Sequence, residues 1–151
     1  MKLLEKKFEV YGIDISEYVI EQAKKVISNP RCLKCLDVQK EMSFNEQFDV
    51  ITAFDIMEHL THPLSVFINL NKSLKKEGSL YLELPVAKTL INRDSMHHYR
   101  SLKQWIDFLG QAGFKPHFIQ PYYTIGLRAV MIPTRRFANY CAIIAKKQVA
   151  G

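Results

Sequence analysis

The sequence predicts an α/β fold: a mostly parallel sheet with helices on both faces, closed by an antiparallel hairpin, in a single domain over residues 1–151. Two observations carry this. Short runs rich in Val, Ile, Phe and Tyr alternate with segments whose apolar residues recur at helical spacing, the pattern of strand–helix–strand units. The last two apolar runs have no helical segment between them, only a loop with Gly126 and Pro133, which suits a hairpin.

The elements follow in order. "FEVYGIDI", residues 8–15, reads as a strand ending at Asp14. "SEYVIEQAKKVIS" reads as a helix capped by Ser16 and stopped by Asn29-Pro30, with Val19, Ile20, Ala23, Val26 and Ile27 on its inward face. "RCLKCLDV" is a second strand, also ending in an acid, Asp37. A polar stretch precedes "FDVITAF", a strand expected to be buried on both faces. "LSVFINLNKSLKKEG" reads as a helix with Val66, Phe67, Leu70 and Leu74 inward and Gly78 at its C-cap. "SLYLELP" is the next strand. The non-periodic "VAKTLINRDSMHHYR" comes after it, then a helix over "SLKQWIDFLGQAG" with Leu102, Trp105, Ile106 and Leu109 on one face and Gly113 as terminator. "FKPHFIQPYY" and "FANYCAIIAKK" form the closing pair.

Composition narrows the function classes. Hydrophobic residues make up 48% and charged residues 24%, an ordinary globular balance. No apolar run reaches membrane-spanning length, and "MKLLEKKFEV" lacks the apolar centre of a signal peptide, so the cytoplasm is the expected compartment. The formal charge is +6, but the lysine pairs at 6, 24, 75 and 146 suit solvated helix faces, and no aromatic residues interleave with a basic cluster. No dedicated nucleic-acid site is expected. Cys32 and Cys35 form a single "CLKC" with no second pair, and they fall within a strand, which argues for structural thiols over zinc or redox chemistry.

In open parallel sheets, ligands bind beyond the carboxyl ends of the strands. Here those ends carry Asp14, Asp37, the "AFDIMEHL" segment and the loop after Pro85. Either acid alone would be read as capping the helix or loop next to it; two at matched positions point further.

The stretches "YGIDISEYVIEQAKK", "CLDVQKEMSFNEQFDVITAFDIMEHLTHPLSVFINLNKSLKKEGSLYLELP", "HHYRSLKQWIDFLGQAGFKPHFI" and "NYCAIIAKK" resemble, in order, the class I S-adenosylmethionine-dependent methyltransferases. These are Rossmann-like, and the resemblance is nearest to the branch that modifies quinones and other small molecules. It implies that Asp14 accepts from the two ribose hydroxyls of the cofactor and that Ile15 packs on its adenine. Asp37 would accept from the adenine amine, Val38 would offer its backbone N–H to a ring nitrogen, and Ala53 and Phe54 would line the methionine end. S-adenosylhomocysteine would be the product, and a small molecule the methyl acceptor. If the acceptor is a hydroxyl, a general base helps, and His59, His97 and His98 are the candidates for that catalytic role. Trp105, Tyr99, Tyr122 and Tyr123 are candidates to line a planar-substrate pocket, although aromatics at such spacing are more often core.

Two departures qualify the resemblance. The family begins with a central strand and a glycine-rich turn that wraps the methionine end. The six glycines stand at 12, 78, 110, 113, 126 and 151, and "KLLEKKF" looks like the tail of the helix that should follow the turn. The expectation is therefore an N-terminally truncated domain whose first central strand is missing, impaired in turnover as an isolated chain and prone to self-association through open sheet edges. Secondly, Asp55, Glu58 and His59 have i, i+3, i+4 spacing, which would put them on one helical face. A similar acid-x-x-Glu-His arrangement in ubiquinone-biosynthesis O-methyltransferases is linked to a divalent metal. With Asp in place of the expected first Glu, a solvated helix start outweighs a metal site, and no metal ligands are assigned. Two rival classes stand beside the methyltransferase. One is a catalytically dead, methyltransferase-like binding or regulatory module. The other is a nucleotide-binding oxidoreductase, whose sites also place an acid after a second strand.

Overall fold

The computed structural model describes residues 2–29, 32–40, 48–86, 98, 100–125, 130–133 and 138–148. The chain forms two compact units, Met1–Ser43 and Phe44–Gly151.

In the first unit, β1 (Gly12–Asp14) pairs in parallel with β2 (Leu33–Cys35), Asp14 opposite Cys35. Between them α1 (Glu17–Lys24) starts at Ser16, whose Oγ accepts the Val19 N–H at 3.3 Å. Ile20, Ile27, Cys32 and Leu33 are buried together, with Tyr11 and Ala23 against them. The expected inward face is thus narrower than its sequence pattern. Val19 and Val26 are 45% and 50% exposed, because α1 packs through a two-strand ribbon that presents little surface to cover. Both strands are shorter than their apolar runs. "KLLEKKF" contributes a single 3-10 turn, Leu4–Lys6, and Glu5 ties it to the end of the helical segment by accepting the Ser28 N–H at 2.7 Å.

In the second unit, five strands lie in the order β3-β4-β7-β5-β6. They are β3 (Phe48–Phe54), β4 (Leu74–Pro85), β5 (Phe114–Ile125), β6 (Val130–Pro133) and β7 (Tyr140–Lys147). β3 and β4 are parallel, joined through α2 (Pro63–Ser73). β7 runs antiparallel between β4 and β5, so the two closing runs are antiparallel neighbours as expected, though the connection between them carries a further strand. β6 forms where the sequence predicts only a loop, and it adds to the outer edge of β5.

Alternation along β4 and β7 builds the core. Leu80, Leu82 and Leu84 pair with Ala145, Ile143 and Cys141, and all six are fully buried. α2 and α3 (Leu102–Gln111) meet edge-to-face through Phe67 and Trp105, ring centres 6.4 Å apart. The Trp105 Nε1–H donates to the Pro85 carbonyl at 3.3 Å. α3 opens with a reciprocal capping box between Ser101 and Gln104, and Gly113, at φ 81°, ends the turn that follows it.

Two expectations are corrected. Gly78 does not cap α2, which ends at Ser73; the chain turns extended at Leu74, and Gly78 sits inside β4. A Cβ there would lie 2.9 Å from the Lys75 carbonyl oxygen and 3.1 Å from that of Phe48, so the glycine serves close backbone approach. β3 is not buried on both faces either. It stands at one end of its sheet, only Ala53 is buried, and Val50 and Phe54 are 56% and 43% exposed.

Candidate functional site

The carboxyl end of the β1–β2 pair gathers four of the residues singled out in the sequence. Asp14 and Asp37 are half-buried, and each begins by satisfying its own loop. Asp14 Oδ1 accepts the Ser16 N–H at 2.8 Å, and Asp37 Oδ1 accepts the Gln39 N–H at 3.0 Å, with the Lys40 ammonium 3.8 Å from Oδ2. These are the local capping bonds that Asp makes at a strand-to-helix turn. A carboxylate has room for about four hydrogens, so one backbone N–H on Asp14 leaves capacity for a diol. Asp14 ends β1 opposite Cys35, Asp37 follows two residues beyond the end of β2, and the Leu36 N–H between them donates to the Asp14 carbonyl at 3.0 Å. Ile15 is 71% exposed beside Asp14, an apolar surface available to a flat ring, and Val38 is half-buried beside Asp37.

At the carboxyl end of β3, Ala53 is buried and Phe54 stands edge-on to Tyr81, 5.3 Å between ring centres. Asp55 then turns the chain at φ 51°, a left-handed conformation that Asp tolerates better than most residues. Its N–H donates to the Glu83 carbonyl at 2.9 Å, tying the turn to the end of β4. The chain continues into a single 3-10 turn, Met57–His59, in which Met57 and Glu58 are buried and His59 is exposed. Asp55, Glu58 and His59 therefore do not share a helical face. Asp55 lies outside the turn, and Glu58 is buried where His59 meets solvent. Among the described residues no group of three or more His, Cys, Asp or Glu has metal-holding geometry.

The His98 N–H donates to the Glu58 carbonyl at 2.7 Å, so two of the three candidate histidines, His59 and His98, come to neighbouring backbone positions, and both are exposed. His97 lies outside the described residues, as does Tyr99. Trp105 and Tyr122 prove to be core, while Tyr123 is 38% exposed. Cys32 is buried with its thiol on the Asn29 carbonyl, burial pushes its pKa up, and all three cysteines are unbridged.

Sequence reasoning missed two features. The Tyr122 hydroxyl donates to Glu83 on the face of the sheet opposite the leucines, with Tyr140 stacked on Tyr122 at 5.9 Å. Burial, then the Glu83 carboxylate, pushes the Tyr122 phenol above its ordinary range, so it remains a donor. The available signal was a Glu set between leucines at an alternate position of the "LYLELP" run. The other feature is Arg100, whose polar surroundings in "HHYRS" concealed its place over the Trp105 ring.

The comparisons with known proteins agree on the family. A model described as a methyltransferase domain matches residues 1–124, most of the chain. A Candida albicans protein, the mitochondrial ubiquinone biosynthesis O-methyltransferase, is 31% identical over 98 residues, a match spanning 62% of this chain and 28% of that protein. Among solved structures, an S-adenosylmethionine-dependent methyltransferase from Methanosarcina mazei has TM-score 0.76 at 17% identity, covering 99% of this chain and 86% of the other. An O-methyltransferase from a Brevibacillus brevis polyketide multienzyme, in complex with S-adenosyl-L-homocysteine, has TM-score 0.76 at 15% identity, covering 98% and 62%. At such identities the structures speak for the fold alone. With the family model matching both units, the chain belongs to the methyltransferase-domain family, the Rossmann-like class I group that depends on S-adenosylmethionine.

Proposed function

We propose that this chain is one methyltransferase-like domain, residues 1–151, that binds S-adenosylmethionine and serves methyl transfer to a hydroxyl of a small-molecule acceptor. The observation that carries the reading is the pair Asp14 and Asp37 at the carboxyl ends of adjacent parallel strands, each with carboxylate capacity beyond its own loop. In this reading Asp14 holds the ribose diol, Ile15 covers one adenine face, Asp37 and the Val38 N–H read the adenine edge, and Ala53 and Phe54 meet the methionine end. Two charge-assisted bonds to one carboxylate both fix the sugar and reject analogues that lack the hydroxyls.

The cofactor supplies an activated methyl group on a sulfonium. The chain's task is alignment of the acceptor oxygen with the carbon–sulfur bond, and the removal of a proton from that oxygen. His59, His97 and His98 are proposed for the proton. A small-molecule acceptor methylated on oxygen is supported by the ubiquinone biosynthesis O-methyltransferase relative, and the cytoplasm remains the proposed compartment.

The test is an NMR titration of the labelled chain with S-adenosylhomocysteine, a method that also reads weak binding. Amide shifts are expected at Ile15 and Val38, and Asp14→Ala should weaken binding by about 1.5–3 kcal/mol, the worth of a hydrogen bond to a charged group. Shifts that leave these amides untouched, or an unchanged affinity in Asp14→Ala, would overturn the assignment.

A further inference from the structure

Arg100 lies between two loops that the sequence separates by about forty residues. Its Nη1 donates to the His98 carbonyl at 2.9 Å and its Nη2 to the Leu60 carbonyl at 3.2 Å. Leu60 closes the 3-10 turn after β3, whereas His98 belongs to the chain between β4 and α3. The same two segments are joined once more, by the His98 N–H on the Glu58 carbonyl at 2.7 Å. The guanidinium plane is steered from α3, where its central carbon stands 5.1 Å from the centre of the Trp105 ring and 5.9 Å from that of Phe108. Half-burial lowers the pKa of this group, yet a guanidinium stays charged, so the fork and the two rings must offset its desolvation. A planar fork can bridge two carbonyls while lying against aromatic rings; a lysine ammonium cannot do both.

We propose that Arg100 is a positioning residue, a latch that holds His98 against the Met57–His59 turn and so keeps the two exposed imidazoles on one rim at the carboxyl ends of β3 and β4. This rests on the methyl-transfer reading above for its purpose, though not for its geometry. Arg100 touches neither cofactor nor acceptor in this scheme; it acts through the backbone of its neighbours. Among the described residues its hydrogen bonds go to carbonyl oxygens and not to a carboxylate, so removing it strips no acidic partner there.

The latch is tested in the full chain with Arg100→Lys and Arg100→Gln by amide hydrogen exchange. The His98 amide should exchange about tenfold faster in both variants, while the Trp105 and Leu109 amides of α3 keep their wild-type rates, the signature of local rather than global opening. Unchanged His98 exchange, or equal acceleration at all three amides, would overturn the latch. Its role in positioning is read with S-adenosylmethionine and 3,4-dihydroxybenzoate as a catechol probe. There kcat should fall about tenfold with the KM for S-adenosylmethionine unchanged, and Arg100→Lys should not rescue it. A wild-type kcat in the variants would refute positioning. His98 exchange decides the latch whether or not the wild type turns the probe over.

Discussion

Cys141 is a thiol in the middle of a sheet, fully buried between β4 and β5. Burial raises its pKa from 9.0 to about 11, which makes it a reporter of alkaline unfolding. Between those values the unfolded chain releases its thiol proton while the native chain keeps it. The unfolded state then binds fewer protons, so stability falls as pH rises through that window and is fully retained below pH 9. The slope from one such group is at most about 1.4 kcal/mol per pH unit. Urea unfolding from pH 8 to 11 should show this decline, and Cys141→Ala should flatten it; an equal slope in both would assign the loss to other groups. The carboxylates differ in how legible they were. Asp14 and Asp37 were visible in the sequence because strand ends carry ligand-binding groups whatever the loops do. Glu58 was not, because its burial depends on a 3-10 turn where spacing had suggested an α-helix.

Helices were more legible than strands at the level of elements. Ser16 and Gly113 announced real boundaries, since caps and left-handed turns are set by a residue's own chemistry. The exposure of Val50 and Phe54 could not be read, because it depends on how many strands flank β3 and on what covers them. Gly78 and Gly110 show how context reverses the meaning of one residue type. Gly78→Ala would drive a Cβ to 2.9 Å from a backbone oxygen, and the strand must shift, at a cost of about 1–3 kcal/mol. Gly110 lies near the end of α3 with nothing within 4 Å of an added methyl, and its φ is not positive, so Gly110→Ala should stabilise by up to about 1 kcal/mol. Denaturant midpoints of the two variants, measured side by side, should move in opposite directions. Movement in the same direction would contradict this account of the glycines.

For the molecule as a whole, free strand edges and charge oppose each other. Among the described residues β3 pairs on one side only, and its outward apolar residues include Val50. Such an edge favours strand addition from another copy, while a formal charge of +6 keeps copies apart. Light scattering should therefore show association that grows with protein concentration and with salt, as screening removes the repulsion, and that weakens in Val50→Lys. A monomer at all salt concentrations would rule out association through this edge. Chain order adds a constraint of another kind, in time. β7 follows every other described strand in the sequence yet stands between β4 and β5. On the ribosome, α2 and α3 can coil and β3 can join β4 while β7 is still unsynthesised, but Leu80, Leu82 and Leu84 then lack their partners across the ladder. Translation must reach Lys147 before the sheet can close. Until then the nascent chain carries two exposed edges at its future centre, a natural point of attachment for a chaperone.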